Sequence, residues 1–507
     1  MQKRIKTCAL FGIESFIIDV ESDVSSGLAA FDIVGLGDTA VKESKERIKA
    51  SIKSAGSTIY QDKIVVNLAP ASIKKEGSHF DFPIALSILS KDYRLNDELL
   101  KKSVFIGELA LNGELRGVNG ILPMAISAYE KGFSNIFIPR ENAKEAAIVK
   151  GLSVYPVDSL QECIAHLVGA KEIIEYKDWD ESFENNVRQL DFSDVKGQED
   201  IKRALLVAAS GNHNFLMVGT PGSGKTMIAE RIPTILPPLS FEESLEVSKI
   251  YSVAGLIEKD RPLITSRPFR QVHHTVSTVG ITGGGRIPKP GEITLAHRGV
   301  LFLDELPEFK KVALETLRQP VEDGKITVTR VSGSVSYPCN VMLIVSLNPC
   351  PCGYYGSGVK ECSCTEHQIR NYMKKISGPL LDRIDIQIEV PNVSYKDISD
   401  EKSKVTSEIM ARQVKVARQI QKERYKNYGF LTNKEIPAGL IDEFCPLGDG
   451  EKKLMEMAYE RLGLSARAHS RILKVARTIA DLEEEKNITS THLAEAIQYR
   501  SLDKKYF

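Results

Sequence analysis

The segment with the clearest chemical purpose is Gly219-Thr220-Pro221-Gly222-Ser223-Gly224-Lys225-Thr226. Its pattern is GxxxxGK[ST]. The glycines let backbone N–H groups wrap phosphate oxygens, the lysine reaches the β- and γ-phosphates, and the threonine hydroxyl ligates Mg²⁺. The motif carries this meaning only between a strand and a helix. Here the apolar run Phe215–Val218 precedes it and a helical pattern follows. A second piece lies 79 residues beyond Lys225, where Gly299-Val300-Leu301-Phe302-Leu303 ends in Asp304-Glu305. A hydrophobic strand ending in two acids suits Mg²⁺ held by Asp304 and a water polarised by Glu305. ATP with Mg²⁺ is the expected ligand.

Cys350, Cys352, Cys362 and Cys364 place half of the eight cysteines within 15 positions. Four thiolates on two turns suit a closed tetrahedral Zn²⁺ site, with His367 or Cys339 able to replace one ligand. Reduced thiols without metal, or a redox sensor, are the other readings.

These residues need elements to hold them. Between 191 and 395 the runs FLMVG, GVLFLDE and VMLIVSL alternate with helical segments. This predicts an α/β unit with a parallel sheet covered on both faces, carrying the cysteine insertion at 348–367. Residues 1–170 form another α/β unit, with strands CALFGI, SFIIDV and KIVVNLAP and helices KESKERIKASIKSAG and DFPIALSIL. The stretch 171–190 is acidic around the single Trp179 and reads as a solvated linker, with a docking segment as the alternative. Residues 396–507 are mostly helical.

The 507 residues carry 67 Lys+Arg against 67 Asp+Glu, with 42% hydrophobic residues. Such a chain is multidomain and globular, and a uniformly basic coat is excluded. Eight cysteines are too few for a disulfide scaffold. No apolar run reaches the ~18 residues that span a bilayer, and the short N-terminal apolar stretch does not suit a signal peptide. A cytoplasmic protein without membrane contact is expected.

Two segments invite a nucleic acid. Residues 324–338, GKITVTRVSGSVSYP, predict a β-hairpin with Lys325 and Arg330 as basic groups; a solvated edge hairpin is the plain alternative. Residues 259–298 carry seven Lys/Arg against two acids, with Phe269, His273, His274 and a Gly283–Gly285 run. They suit a phosphate backbone, or simply a solvated insertion.

VKGQEDIKRAL (195–205), the phosphate loop, GVLFLDELPEF, SLNPCPCG and SGPLLDRIDI together resemble the YifB/ComM family of magnesium-chelatase-like AAA+ ATPases. The resemblance covers nearly the whole chain. It implies an AAA+ core with a C-terminal helical lid, assembled as a ring, in family terms a hexamer. Val195 and Gln198 would lie against adenine. Asn348 would be the sensor-1 residue, and Arg383 the arginine finger that reaches a neighbouring subunit's nucleotide. Arg467 would be the sensor-2 arginine, with Arg471 competing. The plain readings are a strand cap for Asn348, a surface arginine for Arg467, and pairing with Asp382 or Asp385 for Arg383. The hairpin would enter the pore, and similar cysteine loops follow sensor 1 in the family.

KKEGSHFDFPIAL (74–86) and IGELALNGELRGVNGILPMAISA (106–128) look like the Lon-type peptidase fold, a ribosomal-S5-like domain. The nucleophile position falls on His79, beside Ser78, and the lysine position on Leu122. A serine without its base lacks activation, so no peptidase is expected and Ser78 reads as a helix cap. The implied function is a ring ATPase that couples hydrolysis to DNA translocation, helicase action or branch migration. Its partner would be single-stranded or branched DNA in recombination or natural transformation. The alternative is a magnesium-chelatase-like protein-remodelling ATPase acting on a polypeptide partner.

Overall fold

A computed structural model describes residues 4–177, 190–285, 288–330, 333–358, 360–393, 405–502 and 506. Most of the expected acidic linker, with Trp179, lies outside the described residues, as do Arg286 and the side chain of Arg330.

The chain is a multidomain α/β protein. Its N-terminal unit opens with β1 (Ile5–Phe11), β2 (Glu14–Ser25), β3 (Ala30–Val34) and β4 (Lys63–Ala69), ordered β1-β2-β4-β3. Helices α1 (Thr39–Ser54) and α2 (Asp81–Leu89) follow β3 and β4. Every residue of α2 is buried, as a helix apolar on all sides must be. A second, parallel sheet joins β5 (Ser103–Phe105), β6 (Asn135–Pro139) and β7 (Ser153–Val157).

The central sheet uses β8 (Phe215–Gly219), β9 (Phe269–Val272) and β10 (Val300–Leu303). After a hairpin of β11 (Lys325–Arg330) and β12 (Gly333–Pro338) it adds β13 (Met342–Leu347) and β14 (Ile386–Val390). The order is β9-β10-β13-β8-β14, with every pairing parallel. β8, β10 and β13 are buried along their whole length, which explains their unbroken apolar runs.

The two faces pack against different partners because side chains alternate. Phe215, Met217, Phe302 and Ile344 point into one core with α3 (Glu199–Gly211) and the C-terminal helices. Those helices are α8 (Ser407–Arg424), α9 (Asp449–Leu462), α10 (Ala466–Leu482) and α11 (Ser490–Gln498), preceded in the chain by α4 (Lys225–Arg231), α5 (Phe241–Ala254), α6 (Arg318–Asp323) and α7 (Gly378–Leu381). Leu216, Val218, Leu301, Leu343 and Val345 face the other way, into a core shared with hairpin residues Ile326, Val328, Val335 and Tyr337. Each fully buried Phe or Ile adds roughly 1.5–3 kcal/mol.

The N-terminal unit rests on this core. Phe11 and Ile13, flanking the β1–β2 turn, pack against the hairpin side. A Cβ on Gly12 would stand 2.2 Å from Val335 Cγ1, so only glycine fits that approach.

Candidate nucleotide-binding site

Three neighbouring strands, β10, β13 and β8, end at one edge of the sheet. In parallel sheets that edge, where the strand order reverses, is where ligands bind. β8 runs into the glycine loop, and Gly222 (φ 80°) and Gly224 (φ 88°) take left-handed backbone that other residues resist. A Cβ at Gly222 would meet nothing within 4 Å, so the loop presents bare backbone to open space. Ser223 Oγ is buried without a hydrogen-bond partner. Such a cradle, opening the N-terminus of α4, fits a phosphate.

Lys225 Nζ donates to Gly219 O (2.7 Å), Thr220 O (2.9 Å) and Asn348 Oδ1 (3.2 Å). Burial pulls its ammonium down to about 8, against the opposing pull of Asp304 and Glu305. Thr226 Oγ1 donates to Asp304 Oδ2 at 3.0 Å. Asp304 Oδ1 accepts from Ser346 Oγ and, at 3.0 Å, from the backbone N–H of Glu305. Glu305 itself is held at φ 55°, and its Oε2 lies 3.7 Å from His274 Nδ1. The expected lysine, hydroxyl, acids and Asn348 thus converge.

Ser346 and His274 are functional candidates that the sequence reading did not single out for this site. Ser346 is the one hydroxyl in MLIVSL, and that is its signal; His274 has only its position just past β9. Val195 is buried in the α3 core, while Gln198 Nε2 donates to Ser223 O (3.1 Å) and Pro391 O (2.9 Å). Thr220 Oγ1 donates to Asn392 Oδ1 at 2.6 Å.

Pro221 carries a second neighbour. A Cβ on Gly353 would stand 2.5 Å from Pro221 Cδ, which seats the cysteine loop on the phosphate loop. The sulfurs of Cys350, Cys352, Cys362 and Cys364 all lie within 4.8 Å of one another, three of the pairs at 3.3, 3.6 and 3.7 Å. Zn–S bonds of 2.3 Å in a tetrahedron give S···S edges of about 3.8 Å, so the set is compatible with a structural zinc. A hydrogen bond from the Tyr354 backbone, ahead of the neighbouring thiols, pulls Cys352 down to about 6. Cys339 instead donates to Pro320 O, and His367 contacts Asn371, so neither belongs to the cluster.

The arginines stand apart. Arg467 is exposed in the first turn of α10, whereas Arg471 pairs with buried Asp385. Burial would raise the Asp385 carboxyl, but Arg471, His213 and Lys434 hold it well below the usual range. Arg383 pairs with neither Asp382 nor Asp385; its partner is Glu322.

Elsewhere one expectation needs correction. Ser78 does not cap α2, because the helix begins at Asp81; its hydroxyl donates to Glu108. Within 259–298, Arg270 pairs with Glu292 of the same segment, and Lys259, Arg267 and Arg298 pair with Glu141, Glu243 and Glu246 outside it, so part of the positive excess is offset by other elements. The expected hairpin forms by pairing of β11 with β12; Lys325 is exposed, while Ile326, Val328, Val335 and Tyr337 are buried.

The peptidase-like face holds a cavity of about 320 Å³ between the N-terminal unit and the core, lined by Ser78, His79 and Glu108. Leu122 is fully buried outside that lining, in a core with Ile121 and Met124, and Lys75 donates to Pro70 O. Among the described residues, the Ser78 hydroxyl is held by the Glu108 carboxylate.

Comparison with known proteins agrees with this layout. Models of the magnesium chelatase subunit ChlI match residues 20–142, 191–398 and, as its C-terminal part, 404–500. The chain is 40% identical to the competence protein ComM of Haemophilus influenzae, covering 97% of this chain and 96% of that one. It is 39% identical to the uncharacterized protein YifB of Escherichia coli, covering 99% and 97%. Lon protease 2 of Bacillus subtilis is 31% identical over 163 residues, 29% of this chain and 28% of that protein.

Proposed function

The chain belongs to the YifB/ComM family of magnesium-chelatase-like AAA+ ATPases, and on that premise we propose that it is a ring-forming ATPase that drives movement along DNA. One observation carries the proposal: Lys225, Thr226, Asp304, Glu305 and Asn348 meet at the ends of three adjacent parallel strands. In this reading the glycine loop and Lys225 take the phosphates of ATP, and Gln198 borders the base. Thr226 and Asp304 would hold Mg²⁺, which would neutralise charge on the phosphate oxygens. Ser346 fixes the Asp304 carboxylate. Glu305 accepts the proton of the attacking water, and Asn348 positions that water. Arg383 of one subunit and Arg467 in the C-terminal helices, acting as the lid, complete the charge around the γ-phosphate.

The four thiolates would hold zinc as a clip that keeps the cysteine loop against Pro221. The N-terminal unit reads as a Lon-like domain without a working dyad, used for assembly or DNA contact. Lys325 and Arg330 on the hairpin are the candidate DNA contacts in a hexameric pore. The competence protein among the relatives favours a role on incoming DNA, in recombination during natural transformation.

ATPase assays with and without forked or four-way DNA test this. Stimulation by DNA is expected, and Glu305→Gln should bind ATP while losing turnover by about 10²–10⁴-fold. Wild-type turnover in Glu305→Gln would sink the site assignment. Stimulation by a polypeptide and not by DNA would instead favour the protein-remodelling reading that the chelatase models support.

A further inference from the structure

Arg383 is proposed to act across a subunit boundary, yet its side chain is only 12% exposed and turned onto its own chain. Its Nη1 donates to Pro379 O at 2.7 Å, its Nη2 donates to the Glu322 carboxylate, and its Nε is buried without a partner. The backbone beneath it is fixed. Arg383 O accepts from Asn214 Nδ2 at 2.7 Å, and Asp385 is locked by the Asn214 N–H and by Arg471. A fixed base and a side chain held by one acidic partner describe a group that can swing while its backbone stays still.

Glu322 is the movable partner, with its side chain 54% exposed. It lies in α6, two residues before Gly324 and three before β11 begins. Gly324 N donates to Pro320 O (2.9 Å), Cys339 N donates to Gly324 O (2.8 Å), and Cys339 Sγ donates to Pro320 O (3.5 Å). These bonds clamp α6 to the root of both hairpin strands. A displacement of the hairpin therefore displaces Glu322.

We propose that Glu322 is a positioning residue for Arg383, linking the hairpin in one subunit to hydrolysis in the next. The inference rests on the ring-ATPase reading above. With the hairpin placed as here, Glu322 withholds the guanidinium. A polyanion drawn against the exposed face of the hairpin, where Lys325 lies, shifts α6, the pair parts, and Arg383 turns to the neighbour's phosphates. An ion pair with one partner in water exchanges easily, and a phosphate offers Arg a stronger charge-assisted contact.

The test mixes full-length subunits. Glu322→Ala is combined with Lys225→Ala, so that the dopant binds no nucleotide but presents Arg383 to a wild-type neighbour. Without DNA, this double variant should raise hydrolysis per wild-type subunit about fivefold over Lys225→Ala alone, the lower end of usual coupling between sites. KM for ATP should stay constant, DNA should erase the difference, and Glu322→Asp in place of Glu322→Ala should restore the low rate. Equal rates with the two dopants in the absence of DNA would overturn the role of Glu322. A third dopant, Arg383→Ala with Lys225→Ala, probes the premise. If, with DNA present, it supports its neighbours as well as Lys225→Ala alone does, Arg383 does not act in trans, and the premise falls together with this inference.

Discussion

Two faces of this molecule carry the polar residues of a hydrolase, and they treat those residues oppositely. At the end of the central sheet, Lys225, Asn348, Thr226 and Asp304 bond to one another beside a loop of bare backbone. In the cavity between the N-terminal unit and the core, His79 Nε2 is engaged by Cys8 O at 3.0 Å and Ser78 by Glu108, and outside its lining Lys75 is engaged by Pro70 O. The first set faces shared space. The second lies at a cavity but offers no glycine cradle of that kind beside it among the described residues. Residue type alone does not separate the two faces, and Lys225 too donates to backbone carbonyls; what sets the first face apart is the bare glycine backbone beside its polar cluster.

Four measurements test whether the two faces differ in this way. Lys225→Ala should lower ATPase kcat/KM by about 10²–10³-fold or more, since one charged phosphate donor is lost; near-normal turnover would erase the distinction. His79 gives the next largest effect, and on stability only. Burial drives its imidazole down to about 4, although the Cys8 carbonyl and Asp38 oppose this. Its folded pKa lies below its unfolded one, so the stabilisation is complete above about pH 6.5 and fades as pH falls toward 4. Between pH 7.5 and 5, His79→Gln should shrink the wild-type loss in urea-unfolding free energy by about 2 kcal/mol. An unchanged pH dependence would show that His79 is not held neutral.

Ser346→Ala should cost about 10–100-fold in apparent Mg²⁺ affinity, measured by titrating metal in the ATPase assay. A smaller effect would confine Ser346 to packing. Ser78→Ala comes last: ATPase rate, DNA stimulation and casein stability should all match wild type within error, and any lost peptidase activity would revive the cavity as a catalytic site.

Much of the first face was legible because its parts are contiguous. A glycine loop between strand and helix announces itself, and so do two acids ending an apolar strand. Less legible was whatever depends on distant partners. Residues 259–298 look cationic on their own, yet Glu141, Glu243 and Glu246 on other elements offset three of their cations. Arg383 has acids one and two residues away, but it selects Glu322, 61 positions back, because the turn at Gly378–Leu381 aims it there. Ser78 precedes an apolar run as a cap would, but the helix starts at Asp81, beyond its reach. The α/β character and order of the units followed from periodicity. That the C-terminal helices share a core with the central sheet did not, since tertiary burial leaves no local pattern.

That shared core bears on how the chain is made. Phe215, Phe302 and Ile344 bury one face of the sheet against Ile472, Val475 and Ile479, which leave the ribosome more than a hundred residues after Ile344. Until α10 emerges, half the sheet lacks its cover. Contacts so far apart in sequence close slowly and leave sticky surface exposed meanwhile. The N-terminal unit, whose core closes within residues 5–173, is complete long before. Biogenesis therefore has a vulnerable interval in which a finished domain trails an open sheet, and chaperone dependence should map to that interval.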